Sequence, residues 1–278
     1  MKKFAISVAA LAISTGSALA ADLPSRKAAP ILPPPPPPAP IWTGFYVGLN
    51  AGGTWADSSA TVTSLPLLPG AEVLAGLASG GLSGNSSGGS IGGGQIGYNY
   101  QFYNNFVIGV EADIQGLAKS SGNGQLNTFV NPVWTNVSVN GSLDYFGTVR
   151  GRLGWLFTPT LLIYGTGGFA YGGVTLNSSV YQSFGNFAGL GSSSFSDTLT
   201  GWTAGGGVEW MFLPNWSAKV EYLRYDLGTV NQSATVSLVG VPYMGTTTRA
   251  RIEGNVVRAG LNYHFNWGAA PAPVLAKY

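Results

Sequence analysis

Eight ionisable residues stand out because they sit among small and apolar neighbours, most of them two apart. Glu111 and Asp113 form one pair, Arg150 and Arg152 a second, Lys219 and Glu221 a third, and Glu209 and Arg258 complete the set. Two neighbouring carboxylates could perform acid–base chemistry; a retaining glycoside hydrolase needs them about 5–5.5 Å apart. That reaction also needs one carboxyl protonated, and arginines at the same level would hold both ionised. The four acids and four bases sum to zero, which fits mutual pairing in a confined space better than turnover. A second pattern, Gly92-x-Gly94-x-x-Gly97, matches the dinucleotide fingerprint. That fingerprint needs a strand before it and a helix after it, and Gln95 to Phe102 reads as a strand. No His, Cys and Asp group has metal-ligand spacing. The chain has no cysteine, so disulfides and thiol chemistry are excluded. No cofactor is implied.

The elements that must position the charged set are strands. The clearest is Asn255 to Phe265. Val257, Ala259, Leu261, Tyr263 and Phe265 alternate with Arg258, Gly260, Asn262 and His264, the period of a strand with one oily and one polar face. About ten residues also suffice to cross a bilayer as a tilted strand. The pattern recurs at about Gly44 to Trp55, Ile91 to Phe102, Phe106 to Ile114, Leu143 to Phe157, Leu161 to Leu176, Thr200 to Phe212 and Trp216 to Leu227. The stretch from Leu161 is almost all small or apolar, so its phase is open; pairing of Trp155 with Ile163 would put Ile163, Phe169 and Tyr171 outside. Strict alternation pushes Arg224 towards lipid, which a bulge or a place in the headgroup zone would resolve.

Connections after the second, fourth and sixth strands are a few residues long. The others run to about 20–35 residues rich in Ser, Gly, Thr and Asn, the asymmetry of outer-membrane barrels. Aromatics, among them Phe102, Phe106, Trp155, Trp210, Trp216 and Phe265, gather at the short-turn ends as one interfacial belt. These features predict an all-β fold, an eight-stranded antiparallel transmembrane β-barrel with short periplasmic turns and long extracellular loops. The eight charges then form a lumen network that fills and rigidifies the interior. A turn centred on Pro214 sets Glu209 across from Lys219. Inward glycines such as Gly48, Gly97, Gly205 and Gly207 are expected to open local pockets. His264, the only histidine, falls at the periplasmic end as an interface-facing polar residue, away from the outer leaflet where a Ser-His-acid hydrolase would meet lipid.

Only 9% of the residues are charged, against about 25% in a soluble domain. Residues 1–20 read as a signal peptide: Lys2 and Lys3, an apolar Phe4 to Ile13, and a small-residue cleavage site ending at Ala20. Its removal takes two of thirteen basic residues, leaving eleven against eleven acids, so nothing points to nucleic acid. Residues 21–41 form a proline-rich periplasmic linker. Pro33 to Pro38 favour an extended polyproline rod, a spacer or a contact for a periplasmic or cell-wall partner. Residues 42–265 are the barrel and 266–278 a C-terminal periplasmic tail.

Four segments carry a family resemblance: Trp42 to Gly48, Tyr164 to Gly168, Val220 to Leu223, and Asn255 to Phe265. The chain resembles the alphaproteobacterial outer-membrane immunogenic proteins, within the OmpA/OmpX-like barrel group. The resemblance covers roughly Trp42 to Phe265 plus the leader. It implies a non-enzymatic surface protein of the bacterial outer membrane that supports envelope integrity and contacts host or environment. It also implies outer-membrane lipid and lipopolysaccharide as surroundings, insertion by the barrel-assembly machinery, and extracellular loops as the place for a host ligand. Leu261, Tyr263 and Phe265 become the closing-strand assembly signal. The family's terminal aromatic is usually the last residue, whereas Asn266 to Tyr278 follow here; either the signal is internal or Tyr278 supplies the aromatic. A small-solute porin and an outer-membrane lipid-modifying enzyme are the alternative functions.

Overall fold

The computed structural model describes residues 41–265 apart from Ser58, Ser87, Asn104, Lys119 and Ser120. The signal peptide, the proline run and the C-terminal tail, with Tyr278, lie outside the described residues. The described elements are β1 (Gly44–Ala56), β2 (Ser59–Pro66), α1 (Glu72–Leu77), β3 (Gly80–Gly81), β4 (Ser83–Ser86), β5 (Gly89–Phe102), β6 (Phe106–Ala118), β7 (Ser121–Val130), β8 (Val133–Thr158), β9 (Leu161–Phe184), β10 (Phe187–Leu213), β11 (Trp216–Leu238) and β12 (Val241–Phe265). Twelve strands are thus described where eight were expected. The pairing order is β1-β5-β6-β8-β9-β10-β11-β12, and β12 pairs back onto β1 from Phe45↔Phe265 to Ala56↔Gly254. The four additional strands, β2, β3, β4 and β7, belong to the long connections, where β2 extends from β12 and β7 from β8.

Alternation sets the sidedness. On β6, Ile108, Val110 and Ile114 are exposed while Glu111 and Asp113 are buried. An exposed apolar band is what hydrocarbon requires of an outer face. At the short-turn ends, rings of Phe102–Phe106, Trp155–Phe157, Trp210–Phe212, Trp216–Tyr263 and Tyr263–Phe265 have centroids 5.1–5.9 Å apart. Trp155 is opposite Ile163, and Ile163 and Phe169 are exposed, which settles the phase of β9. Gly92, Gly94 and Gly97 lie within β5, so the dinucleotide fingerprint lacks its helix. Arg224 stays in register with Asn255; the bulge comes later, between Asp226 and Thr229, where Gly228 has φ +87°. Acids, not the bulge, accommodate Arg224: it reaches Glu253 at 3.1 Å and Asp57 at 3.6 Å.

The long connections depart most from expectation. They are not irregular loops, because β8 to β12 each continue for 23–27 residues. At about 3.3 Å per residue these strands are far longer than a bilayer crossing needs. Two physical reasons account for it. Continued pairing satisfies most backbone groups, although between Leu190 and Trp202 β10 pairs with β9 and not with β11. Alternate residues such as Val137, Val139, Leu176, Val180 and Val236 bury themselves in a shared interior. Ser-, Gly- and Asn-rich composition hid that alternation.

Candidate functional site

The interior is stacked in layers, and β8 touches all of them. Upward from the short turn that leads to β9 its buried residues include Leu156, then Arg152, Arg150 and Thr148, then Phe146 and Leu143, and finally Val139 and Val137. A register shift between Leu143 and Tyr145 changes the parity, so odd-numbered residues point inward above it.

The lowest layer is apolar. Trp42, fully buried, packs with Val107, Leu156, Leu162, Tyr164 and Met211, and its indole Nε1 donates to the Pro159 carbonyl at 2.9 Å. Trp42, two residues before β1, therefore caps the interior at the short-turn end.

The charged set occupies the next layer, and all eight side chains are buried. The strands place them in register: Glu111 opposite Arg150, Glu209 opposite Lys219, Glu221 opposite Arg258. Arg150 is the hub, bridging Glu111 at 2.5 Å, Asp113 at 2.9 Å and Glu221 at 2.8 Å. Arg258 holds Asp113 at 2.9 Å and Glu221 at 2.7 Å. Arg152 donates to Glu209 at 2.6 Å and lies over the Tyr164 ring at 4.0 Å. The Tyr46 hydroxyl donates to Glu111 at 2.6 Å and accepts from Arg152 at 2.9 Å. Thr148 and Gln115 donate to Asp113 at 2.7 and 2.9 Å. Each charge thus meets opposite charge, and Glu111, Asp113 and Glu209 accept from neutral donors as well, which favours tolerance of buried ions, although Arg152 Nε and an Arg258 terminal nitrogen have no hydrogen-bond partner.

Three expectations are corrected here. Lys219 is level with Glu209, but its ammonium reaches Glu111 on β6 at 2.8 Å instead. In a narrow barrel a long side chain spans the axis more easily than it folds back on its register partner. Glu209 is taken by Arg152, Ser217 and Asn262. The inward glycines do not open pockets: a Cβ on Gly97 would meet the Tyr46 ring at 2.4 Å, and one on Gly48 would meet Asn262 Oδ1 at 2.1 Å. They give space to neighbouring side chains. His264 is buried rather than interface-facing, because it follows the inward parity of Asn262 and Arg258. Its Nε2 lies 2.8 Å from Ser217 Oγ and 3.5 Å from Glu209 Oε1. A hydrolytic triad needs the acid on the other ring nitrogen; here both groups share one, and all three are buried.

Above the charges lies an apolar layer: Ile91, Phe146, Ala170, Val174, Leu223, Tyr225, Leu227, Ala250 and Val256 pack across the interior. It was not anticipated, although β11 shows the change in its own inward sequence, Lys219 and Glu221 giving way to Leu223 and Tyr225. The uppermost layer holds α1. Ala71, Ala75 and Ala78 pack against Val62, Val137, Val180, Val236 and Met244. Gln182 donates to the Leu74 carbonyl at 2.7 Å and accepts from the Tyr243 hydroxyl at 2.9 Å. On the outer face of β12, Leu261, Tyr263 and Phe265 lie opposite Leu49, Val47 and Phe45.

Comparison with known proteins agrees with this architecture. The model of the outer membrane protein beta-barrel domain matches residues 7–265. The 31 kDa outer-membrane immunogenic protein of Brucella melitensis is 35% identical over 90% of this chain and 94% of its own. The 25 kDa outer-membrane immunogenic protein of Brucella abortus is 26% identical over 95% and 99%. Among solved structures, OprG of Pseudomonas aeruginosa covers 80% of this chain and 97% of its own at 12% identity, with a TM-score of 0.42, a likeness too loose to bear on function. With the family model spanning the whole barrel, the chain belongs to the outer membrane β-barrel domain family and is a protein of the bacterial outer membrane.

Proposed function

We propose that this is a plugged, eight-stranded barrel that serves the outer membrane as a structural and surface-contact protein, without catalysis and without conducting solutes. Strands β1, β5, β6 and β8 to β12 cross the membrane, and residues 42–265 form the barrel domain. Residues 1–20 are its signal peptide, 21–41 a periplasmic linker that reaches a periplasmic or cell-wall partner, and 266–278 a periplasmic tail. Outer-membrane lipid and lipopolysaccharide surround it, the barrel-assembly machinery inserts it through the signal at Leu261, Tyr263 and Phe265, and the extracellular extension meets host or environment. The lumen network of Glu111, Asp113, Arg150, Arg152, Glu209, Lys219, Glu221 and Arg258 is structural.

The observation that carries this reading is the filling of the interior by successive layers: the Trp42 seal, the neutral charged set, the apolar layer and the helix chamber. Eight strands enclose a space just wide enough for side chains to fill, and a dry apolar layer above a paired ionic one leaves no water column. Planar-bilayer recording of the refolded protein tests it. Silence at neutral pH is expected; reproducible channels, widened by Arg150→Ala, would overturn the plugged barrel and favour the porin.

A further inference from the structure

Away from the apolar band, exposed aromatic residues gather at one other place, the distal end of the extracellular sheet. The β7–β8 and β9–β10 hairpins lie side by side there, because β8 pairs with β9 up to Val133↔Phe184. Phe129 and Trp134 face each other across β7 and β8 with ring centroids 6.4 Å apart. Tyr181 on β9 stands beside them, level with Asn136. Phe129, Trp134 and Tyr181 are 62%, 46% and 40% exposed, although no hydrocarbon is there to receive them.

Below these rings the same outward face carries rows of amides and hydroxyls. Asn136 donates to Asn127 at 2.6 Å, and the Ser138 and Ser179 hydroxyls are 2.8 Å apart. Register extends the rows over β7 to β10, for example Asn123, Asn140, Asn177 and Ser194. Adjacent members are one strand spacing apart, about 4.8 Å, comparable with one sugar ring. Side-chain hydrogen bonds between neighbours fix the orientation of part of the array before any ligand arrives. From Ser121 to Ser142 and from Thr175 to Ser196 there is no Asp, Glu, Lys or Arg; the nearest carboxylates, Asp144, which accepts from Ser142 and Thr175, and Asp197, border the array at the end away from the rings.

We infer that this face, with its aromatic rim, binds a neutral glycan. Ring faces stack on the C–H faces of sugars, while amides and hydroxyls exchange hydrogen bonds with sugar hydroxyls. The combination of rigid aromatics with small polar partners suits recognition at low ordering cost. The missing charge decides between partners. An anionic bilayer or sulfated polysaccharide calls for Lys or Arg, and a neutral saccharide matches an uncharged donor–acceptor array. This inference rests on the surface-contact role proposed above and names its partner class.

The test applies the refolded full chain to immobilised neutral polysaccharides (xylan, mannan and galactan), with heparin, anionic vesicles and a second copy of the protein in parallel. Saturable retention on at least one neutral polymer is expected. Trp134→Ala and Tyr181→Ala should each weaken it tenfold or more, and Asn136→Asp should weaken it without removing a ring. A closed barrel should resist detergent until boiled, so all three variants must show a gel band that shifts only on heating, which marks the barrel as folded. Thr247→Ala, on β12, should leave it unchanged. No retention on any neutral polymer, or retention indifferent to these substitutions, overturns the glycan. Retention on heparin, vesicles or a second copy alone also overturns it, but leaves the surface-contact role standing; indifference to every surface together with channel activity would overturn both.

Discussion

Two adjacent layers of the interior do the same job with opposite chemistry. In the lower, Arg150 and Glu221 are held by ion pairs; in the upper, Phe146 and Leu223 are held by packing. They stand only a few residues apart on the same two strands, β8 and β11. Both bury their side chains, but they respond differently to damage. Losing one charge leaves several others buried without a partner, a steep cost. Losing apolar volume leaves a cavity whose cost scales with its size. The charged layer also ties register to charge balance. A two-residue slip of β11 against β12 would keep the same face inward but move Glu221 from opposite Arg258 to opposite Val256 or Gly260, whereas a slip in the apolar layer would exchange one hydrophobe for another.

The comparison breaks most readily at Arg150. Arg150→Ala should cost about 4 kcal/mol, because Glu111, Asp113 and Glu221 lose their shared cation. Urea unfolding in detergent, read by the heat-modifiable gel band, measures it, and a cost near zero would mean the ionic layer is no more brittle than its neighbour. Leu223→Ala, in the layer above, should cost about 3 kcal/mol by the same assay. Overpacking or relaxation that erased this cost would show the upper layer to be loosely filled.

Coupling within the ionic layer sharpens the picture further. Double-mutant cycles should give about 2 kcal/mol for Lys219 with Glu111, and at most about half that for Lys219 with Glu209. The reverse order would restore the register partner as the real one. The smallest effect belongs to an ion pair beside the apolar layer, next to Tyr225, Leu227 and Ala250 in sequence. Arg251, half-exposed, donates to Asp226 at 2.6 Å. Such a pair stabilises only while the carboxyl is ionised, so its contribution is lost when strong acid protonates it. Asp226→Asn should therefore destabilise slightly at neutral pH and not at all in strong acid, as denaturation midpoints across a pH series would reveal. Equal effects at both ends would remove the pair from the account.

Period-two alternation was enough to read the membrane-crossing part from the chain. It assigned Glu111, Asp113, Arg150, Arg152, Glu209, Lys219, Glu221 and Arg258 to one face, because a charge on the lipid side costs several kcal/mol, about 2–4 for Lys or Arg at mid-depth. What alternation cannot supply is distance across the axis. Lys219 meets Glu111 on a strand far away in the pairing order, and only closure of the sheet brings the two together. The Trp42 seal was hidden for a related reason: one aromatic before a strand carries no period, and its partners come from β6, β8, β9 and β10. The extracellular extension was hidden by composition. Ser, Gly and Asn are the residues of turns, yet Val137, Val180 and Val236, one on each of three strands, find a common interior only when those strands are paired. Local pattern fixes which way a side chain points; which side chain it meets is decided by the strands that the closed sheet sets across from it.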